Sequence, residues 1–417
     1  MSKARVSCGD FLATNLHGPP VGAPCEAGFW GVAGMYLVIQ VGGTIPIPLW
    51  VVWQSKLGFE TGTLTLVFAI YTLGTLVSLL LIAPLSDRVG RRPVLILAVA
   101  LAAVSTVLYL VADTVLLLFV ARFISGMAVA LTTAAGAAAL RELEPGSRAR
   151  RASLTTAAAT MGGLALGPLL AGFTAEYARD PLRLVFGIYL ALLIPALVAV
   201  LLARETVPPD RRVAWRPGRI ALPRDRSAFA LAASTAFCAF ALLGLYSSLV
   251  PSFLRSGLHE RNHAVAGLIV SMIFFVGTIT QLLLFRISPR RALSWGRPVL
   301  LIGLALIELG LWDTSLGIFV AGTIAGGLAV GLLFMGSLAI VNQIAEPDRR
   351  AQVLAAYFVC TYAGLAVPAI AVGEAIDSIG ANKATLYCAI AIAALAVLAL
   401  NALLRRRESV EPLAHAA

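Results

Sequence analysis

Charge is what this 417-residue chain has little of. Asp, Glu, Lys and Arg make up 13% of it, against 59% apolar residues and a mean hydropathy of +0.90. A soluble domain carries about 25% charge, so a wholly soluble fold is excluded. Histidine is as scarce: His17, His259, His263 and His415 all fall outside the apolar runs. A membrane enzyme needs convergent His, Asp or Cys groups. None converge, so the chain is expected not to be an enzyme and to hold no metal or cofactor. Cys8, Cys25, Cys238, Cys360 and Cys388 are scattered, without pairing or metal spacing. The three inside apolar runs read as small apolar fillers. Residues 1–26 have no apolar core before the first run, so no cleavable signal peptide is expected.

What is abundant is long apolar runs. A bilayer core of ~30 Å needs about 20 apolar residues per helix. Twelve runs qualify, at 29–53, 62–84, 93–112, 115–140, 153–175, 184–203, 228–253, 264–285, 298–312, 315–342, 352–375 and 385–403. The ninth is short as written and is expected to extend into its flanks. The runs are continuous, which fits helices rather than the alternating strands of a barrel. The fold class is thus an all-α membrane protein with twelve transmembrane helices.

The basic residues set an orientation. Of 32 Lys and Arg, 25 fall in the tails and even-numbered loops and six in the odd-numbered loops; Arg122 alone lies within a run. Arg297 counts with the loop after the eighth run. Positive charge stays in the cytoplasm, so both termini and the even loops are expected there. The net charge of +11 is then a topology signal and not a nucleic-acid surface. Arginine outnumbers lysine 29 to 3, a composition that points to a GC-rich bacterial genome and the bacterial cytoplasmic membrane.

The halves repeat at a shift near 200 residues. Tyr71-Thr-Leu-Gly74-Thr75 lines up with Phe274-Phe-Val-Gly277-Thr278, and Arg92-Pro93-Val94-Leu95 with Arg297-Pro298-Val299-Leu300. Glu144-Pro145 matches Glu346-Pro347, and Gly163-Leu-Ala165 matches Gly364-Leu-Ala366. Four matches in chain order imply two six-helix bundles related by internal duplication. The expected division is a tail over 1–26, bundles over 27–203 and 228–403, an Arg- and Pro-rich linker over 204–227, and a tail over 404–417.

Four motifs carry a family resemblance. The turn after the second run reads Ala83-Pro-Leu85-Ser-Asp87-Arg88-Val-Gly90-Arg91-Arg92-Pro93. It resembles the signature loop of the major facilitator superfamily, with Ala83 in place of the first glycine. Gly90 permits a tight reversal, and Pro93 suits a helix's first turn. The second-half copy keeps Arg297-Pro298 but has Ala292 and Trp295 where the acid and glycine would fall. The fifth run reads Gly163-Leu-Ala-Leu-Gly167-Pro168-Leu-Leu-Ala171-Gly172. It resembles the family's antiporter motif, with Ala171 for one glycine. Its glycines allow close helix approach, and Pro168 removes a helical hydrogen bond. Gly42-Gly43-Thr44-Ile45-Pro46-Ile47-Pro48 in the first run is similar to the Pro-bearing first helix of twelve-span drug exporters, and Arg122-Phe-Ile-Ser125-Gly126 to the family's fourth-helix arginine motif. Pro46 and Pro48 are expected to break the first helix where it lines a cavity.

The resemblance implies a proton-coupled exporter working by alternating access, with Asp87, Arg88, Gly90, Arg91 and Arg92 as a conformational latch in which Asp87 faces the start of the eleventh helix. An importer or uniporter on the same fold is the alternative. Expected cavity residues are Gln40, Thr44, Pro46, Pro48, Arg122, Ser125, Tyr246, Ser247, Tyr357 and Tyr362. Arg122 lies roughly 10 Å deep; an arginine there costs about 2.5–3.5 kcal/mol unless paired or wetted. The apolar, aromatic lining suits lipophilic neutral or anionic compounds better than sugars. The expected partners are a small-molecule substrate, protons and the lipid bilayer, with no nucleic acid, and the chain is expected to be a monomer. Coupling needs a carboxylate, and the runs offer few. Glu308 reads as snorkelling outward, and no coupling acid emerges.

Overall fold

The computed structural model describes residues 26–144, 149–207, 220–256, 258, 260, 262–346 and 349–414. The N-terminal tail, linker residues 208–219, and Pro145 and Pro347 of the repeat lie outside them. Among the described residues, twelve helices are long and apolar enough to cross a membrane. They are α1 (Glu26–Leu57), α2 (Thr61–Val89), α3 (Arg91–Leu110), α4 (Val115–Leu143), α5 (Arg150–Tyr177) and α6 (Pro181–Leu202) in the first half. The second half has α7 (Arg226–Pro251), α8 (His263–Leu283), α9 (Pro289–Trp312), α10 (Leu316–Ile344), α11 (Arg350–Ile376) and α12 (Ala381–Ala399).

Polar caps start some helices ahead of their apolar runs. Asn262 Oδ1 accepts from the N–H groups of Ala264 and Val265 at 2.8 and 3.1 Å, opening α8. Ser288 accepts from Arg291 N–H at 3.4 Å with Pro289 in the first turn, so α9 starts well before residue 298. That start moves Arg297 out of the loop in which it was counted. It lies inside α9 and is 1% exposed. The helix containing α12 continues to Ala414, past the expected end at 403.

The cores follow the duplication. One buried apolar cluster is drawn entirely from Phe29–Ala203. The main cluster of the second half runs from Cys238 to Ala396 and borrows Ile47, Phe68, Met161 and Ala165 from the first. Between bundles, α5 packs along α8 and α2 along α11. Without a hydrophobic drive between helices in lipid, small residues and close backbone contact hold such seams. The two seams are built alike. The position of a Gly172 β-carbon would lie 2.8 Å from the Gly267 Cα on α8. Gly373, 201 residues on, meets Thr65 of α2 as tightly.

Candidate functional site

Between the bundles lies a cavity of about 830 Å³, within the range of small-molecule sites. Its wall runs from mid-helix Phe68, Tyr71, Arg122 and Phe274 to Asp87, Arg91, Arg141 and Asn342 at the even-loop ends. It therefore opens on the even-loop face. On the odd-loop face the α5–α8 and α2–α11 seams close it.

Thr44 shows how the proline motifs build the wall. Pro168 has no N–H, which leaves the Leu164 carbonyl of α5 without its helical donor. Thr44 Oγ1 of α1 donates to that carbonyl at 3.0 Å. Gly163 and Gly167 let the two helices close: the position of a Gly163 β-carbon is 2.6 Å from the Leu37 carbonyl, and that of Gly167 overlaps Thr44. Gly172 serves α8 instead. The motif on α5 thus seals one seam within the N-terminal bundle and another between bundles, and α5 stays helical across Pro168.

The first helix departs from its expected break. The interruption is one residue, Ile45, still right-handed at φ −47, ψ −43, and its N–H keeps the bond to Val41 O at 3.1 Å. The helix resumes at Pro46, where a missing N–H costs nothing. Pro46 and Pro48 are buried but do not line the cavity; Ile47 between them does.

Arg122 forms the inner end of the wall. It is 1% exposed. Its Nη1 donates to Gly43 O at 2.7 Å, and the guanidinium sits 4.4 Å from the Tyr71 ring centroid and 5.6 Å from those of Trp50 and Phe68. Its Nε has no acceptor, and none of the carboxylates described pairs with it. Aromatic faces stabilise such a cation by about 2 kcal/mol or more when dry.

Gln40, Thr44, Ser247 and Tyr362 share this wall. Gln40 Nε2 donates to Thr133 Oγ1 at 3.1 Å. Three expected residues turn away. Ser125 lines a separate small void with Tyr109 and Tyr189. Tyr246 OH bonds Thr323 Oγ1 at 2.8 Å over Phe319, and Tyr357 OH bonds Ser337 Oγ at 2.8 Å, both inside the C-terminal bundle. The reason is helical phase: Ser247 and Phe358, one position on, face the cavity. Sequence reasoning missed Tyr36, Phe68, Tyr71, Phe240 and Phe334, because aromatics in apolar runs carry no mark of which face they take. The spacing of Phe68 and Tyr71, three residues apart, was the available sign.

At the even-loop mouth the signature turn is a charged network. Asp87 pairs with Arg91 at 2.6 Å, and Arg91 also reaches Glu142 at 3.0 Å and Ser86 Oγ at 2.7 Å. Glu205, at the end of α6, accepts from the backbone N–H of Arg91 and Arg92 at 2.8 and 3.0 Å. A carboxylate there meets the positive end of α3. Gly90 has φ +107, and any β-carbon would collide with Glu205, so the glycine is required twice over. Arg92 donates to the Leu201 carbonyl, while Arg88 is exposed. Asp87 is bonded within its own bundle, its side chain 54% exposed, rather than to the start of α11. Glu142 and Glu205 were not anticipated. Glu205 was findable as the first acid after the sixth run. Glu308 is held by Thr385 Oγ1 at 3.3 Å, against α12 and off the cavity.

No sequence among the curated proteins matches the chain. Solved structures do. A bacterial homolog of the human lysosomal transporter Spinster, in an inward-facing, unoccupied conformation, has TM-score 0.69 at 15% identity, covering 91% of this chain and 98% of that one. The human organic anion transporter MFSD10 gives 0.66 at 17%, covering 92% and 100%, and the nucleoside transporter NupG 0.71 at 13%, covering 90% and 99%. At these identities the likeness is one of fold. The sequence profile of the Major Facilitator Superfamily matches residues 32–307. With the twelve spans, the duplicated bundles and the cavity between them, that match establishes that the chain belongs to this superfamily of transporters.

Proposed function

We propose that this chain is a monomeric secondary transporter of the bacterial cytoplasmic membrane that exports amphiphilic small molecules, neutral or anionic, by proton antiport. The observation that carries the reading is the cavity itself. It is large and mostly apolar, opens on the Arg-rich face assigned to the cytoplasm, and ends at a buried arginine without a carboxylate partner. A compound entering from the cytoplasm or inner leaflet finds aromatic surface and one cation. It finds few of the paired donors and acceptors that a sugar requires. The antiporter-type motif on α5 lies in the seam that must open for release on the far side. Uniport or import is a second reading with its own support: Asp87 is the only acid on the cavity wall among the described residues, and Arg91 already neutralises it.

The test is survival of cells with and without the protein across a panel of lipophilic weak acids and neutral compounds, repeated with a protonophore. Export by antiport predicts resistance that the protonophore abolishes. Sensitisation by the protein, or resistance indifferent to the protonophore, would overturn it.

A further inference from the structure

The odd-loop face is closed by more than apolar packing. At the end of α5, Glu176 Oε2 accepts the backbone N–H of His263, the first residue of α8, at 2.8 Å. Near the end of α11, Glu374 Oε1 lies 2.7 Å from where a β-carbon on Gly62 would stand, at the second residue of α2. Both are carboxylates of one bundle set on the positive end of a helix in the other. Residues 62 and 263 are 201 apart, the spacing that also relates Gly163 to Gly364 and Gly172 to Gly373. Glu374 sits one turn inward of the position equivalent to Glu176. Two lines of observation, contact geometry and duplication, thus point to the same pair.

We propose that Glu176 and Glu374 are gate-positioning residues: two quasi-symmetric latches, each a carboxylate on the first turn of the opposing bundle's helix, that hold the odd-loop face shut while the cavity is open on the even-loop face. Each bundle contributes one acid and receives one, so the bundles are locked at both seams by one chemistry. Opening that face separates both pairs together. Gly62 is small because the Glu374 carboxylate occupies the space its side chain would take. The acids at the signature turn cannot serve this purpose, since Asp87, Glu142 and Glu205 bond at the other end of the molecule and within their own bundle. The proposal rests on the alternating-access reading, but its readout needs no transported compound.

The experiment places spin labels at Arg179→Cys and Lys383→Cys, exposed positions at the odd-loop end of each bundle, in full-length protein with the five native cysteines replaced by alanine. Distances are measured by electron paramagnetic resonance in lipid nanodiscs. Removing one such charge is expected to raise the ratio of long to short distances about twofold to fivefold in Glu176→Gln and in Glu374→Gln. Together they should multiply, to about fourfold to twenty-five-fold. Glutamine nearly preserves shape, so a purely packing role would leave the ratio unmoved. Gly62→Ala should shift the ratio as Glu374→Gln does and add little to it, because both dislodge the same carboxylate. Unchanged ratios in both glutamine variants would overturn the latches. So would a Gly62→Ala effect that adds fully to that of Glu374→Gln. If the ratios shift as expected while cells show no export, the latches stand and the export reading falls.

Discussion

Among the described residues, each bundle buries one arginine almost completely, and the two have different surroundings. Arg122 and Arg297 are both 1% exposed. Arg122 reaches the cavity wall, bonds the Gly43 carbonyl and lies against three aromatic rings. Arg297 lies off the cavity; its Nη2 donates to Thr235 Oγ1 at 3.0 Å, while its Nε and Nη1 find no acceptor. The contrast extends to the turns. The α2–α3 turn ties Asp87, Glu142 and Glu205 to Arg91 and the α3 backbone, whereas the second-half copy has Ala292 and Trp295 in place of acid and glycine and is folded into the start of α9. Duplication supplied the same frame twice, and the N-terminal copy alone has this charged turn. A charge in lipid is expensive wherever it sits, so burial by itself does not mark function. Access to the cavity is what separates the two.

The sharpest way to break that comparison is to remove both arginines in turn. Arg122→Ala should lower transport about 10- to 150-fold, the equivalent of one lost charge-assisted hydrogen bond of ~1.5–3 kcal/mol, at unchanged membrane insertion. Arg122→Lys should recover part of it, since it restores the charge without the planar fork of donors. Arg297→Met should leave transport within about twofold and leave stability level or higher, because apolar replacement of an under-partnered buried charge is often neutral or favourable. Vesicle transport driven by a pH jump, at matched protein levels, checks all three. Equal losses for Arg122→Ala and Arg297→Met would show that the cavity does not distinguish them.

The turns come next. Asp87→Asn should shift the balance of cavity states by ~1–2 kcal/mol, or about five- to thirtyfold, through the state in which Asp87 exchanges Arg91 for the start of α11. Glu205→Gln should act through the turn itself, weakening two bonds to the α3 backbone. Ala292→Ser, at the matching place in the start of α9, should do neither. Transport and cysteine accessibility of the cavity separate the cases. Wild-type transport by well-inserted Asp87→Asn protein would remove the latch role.

The frame was legible in the sequence because the bilayer imposes it. Run length, loop charge and the shift near 200 residues gave twelve helices and two bundles. Arg122 and Gly90 were legible for a related reason: charge at depth and a turn glycine each need a special place. Tyr246 and Tyr357 were misplaced because a helix hydrophobic all round has no sequence mark of its cavity face, and one position moves a side chain by 100°. Arg297 was misplaced because loop and helix cannot be told apart by charge when a serine cap and a proline let the helix start early. Glu142 and Glu205 bond across long sequence separations, which no local pattern shows.

The smallest effect tests the seam that carries Pro168. Thr44 donates to the Leu164 carbonyl that Pro168 leaves free. The second-half counterpart is Gly244 of α7, which packs directly on the Leu365 carbonyl of α11 and has no hydroxyl, so the C-terminal seam is built without such a bond. Thr44→Val keeps the shape and removes the donor. Hydrogen bonds between membrane helices average about 0.6 kcal/mol and reach about 1.7; a carbonyl orphaned in a dry seam belongs toward the upper value. Thr44→Ser keeps the donor and should retain most of the stability. Gly244→Thr should gain nothing, since a β-carbon there would collide with the Leu365 carbonyl. The measurement is the unfolding midpoint in mixed micelles titrated with denaturing detergent. A Thr44→Val midpoint equal to wild type would mean that water or a shifted backbone satisfies Leu164. The α1–α5 seam would then rest on Gly163 and Gly167 alone, as its C-terminal counterpart rests on small residues.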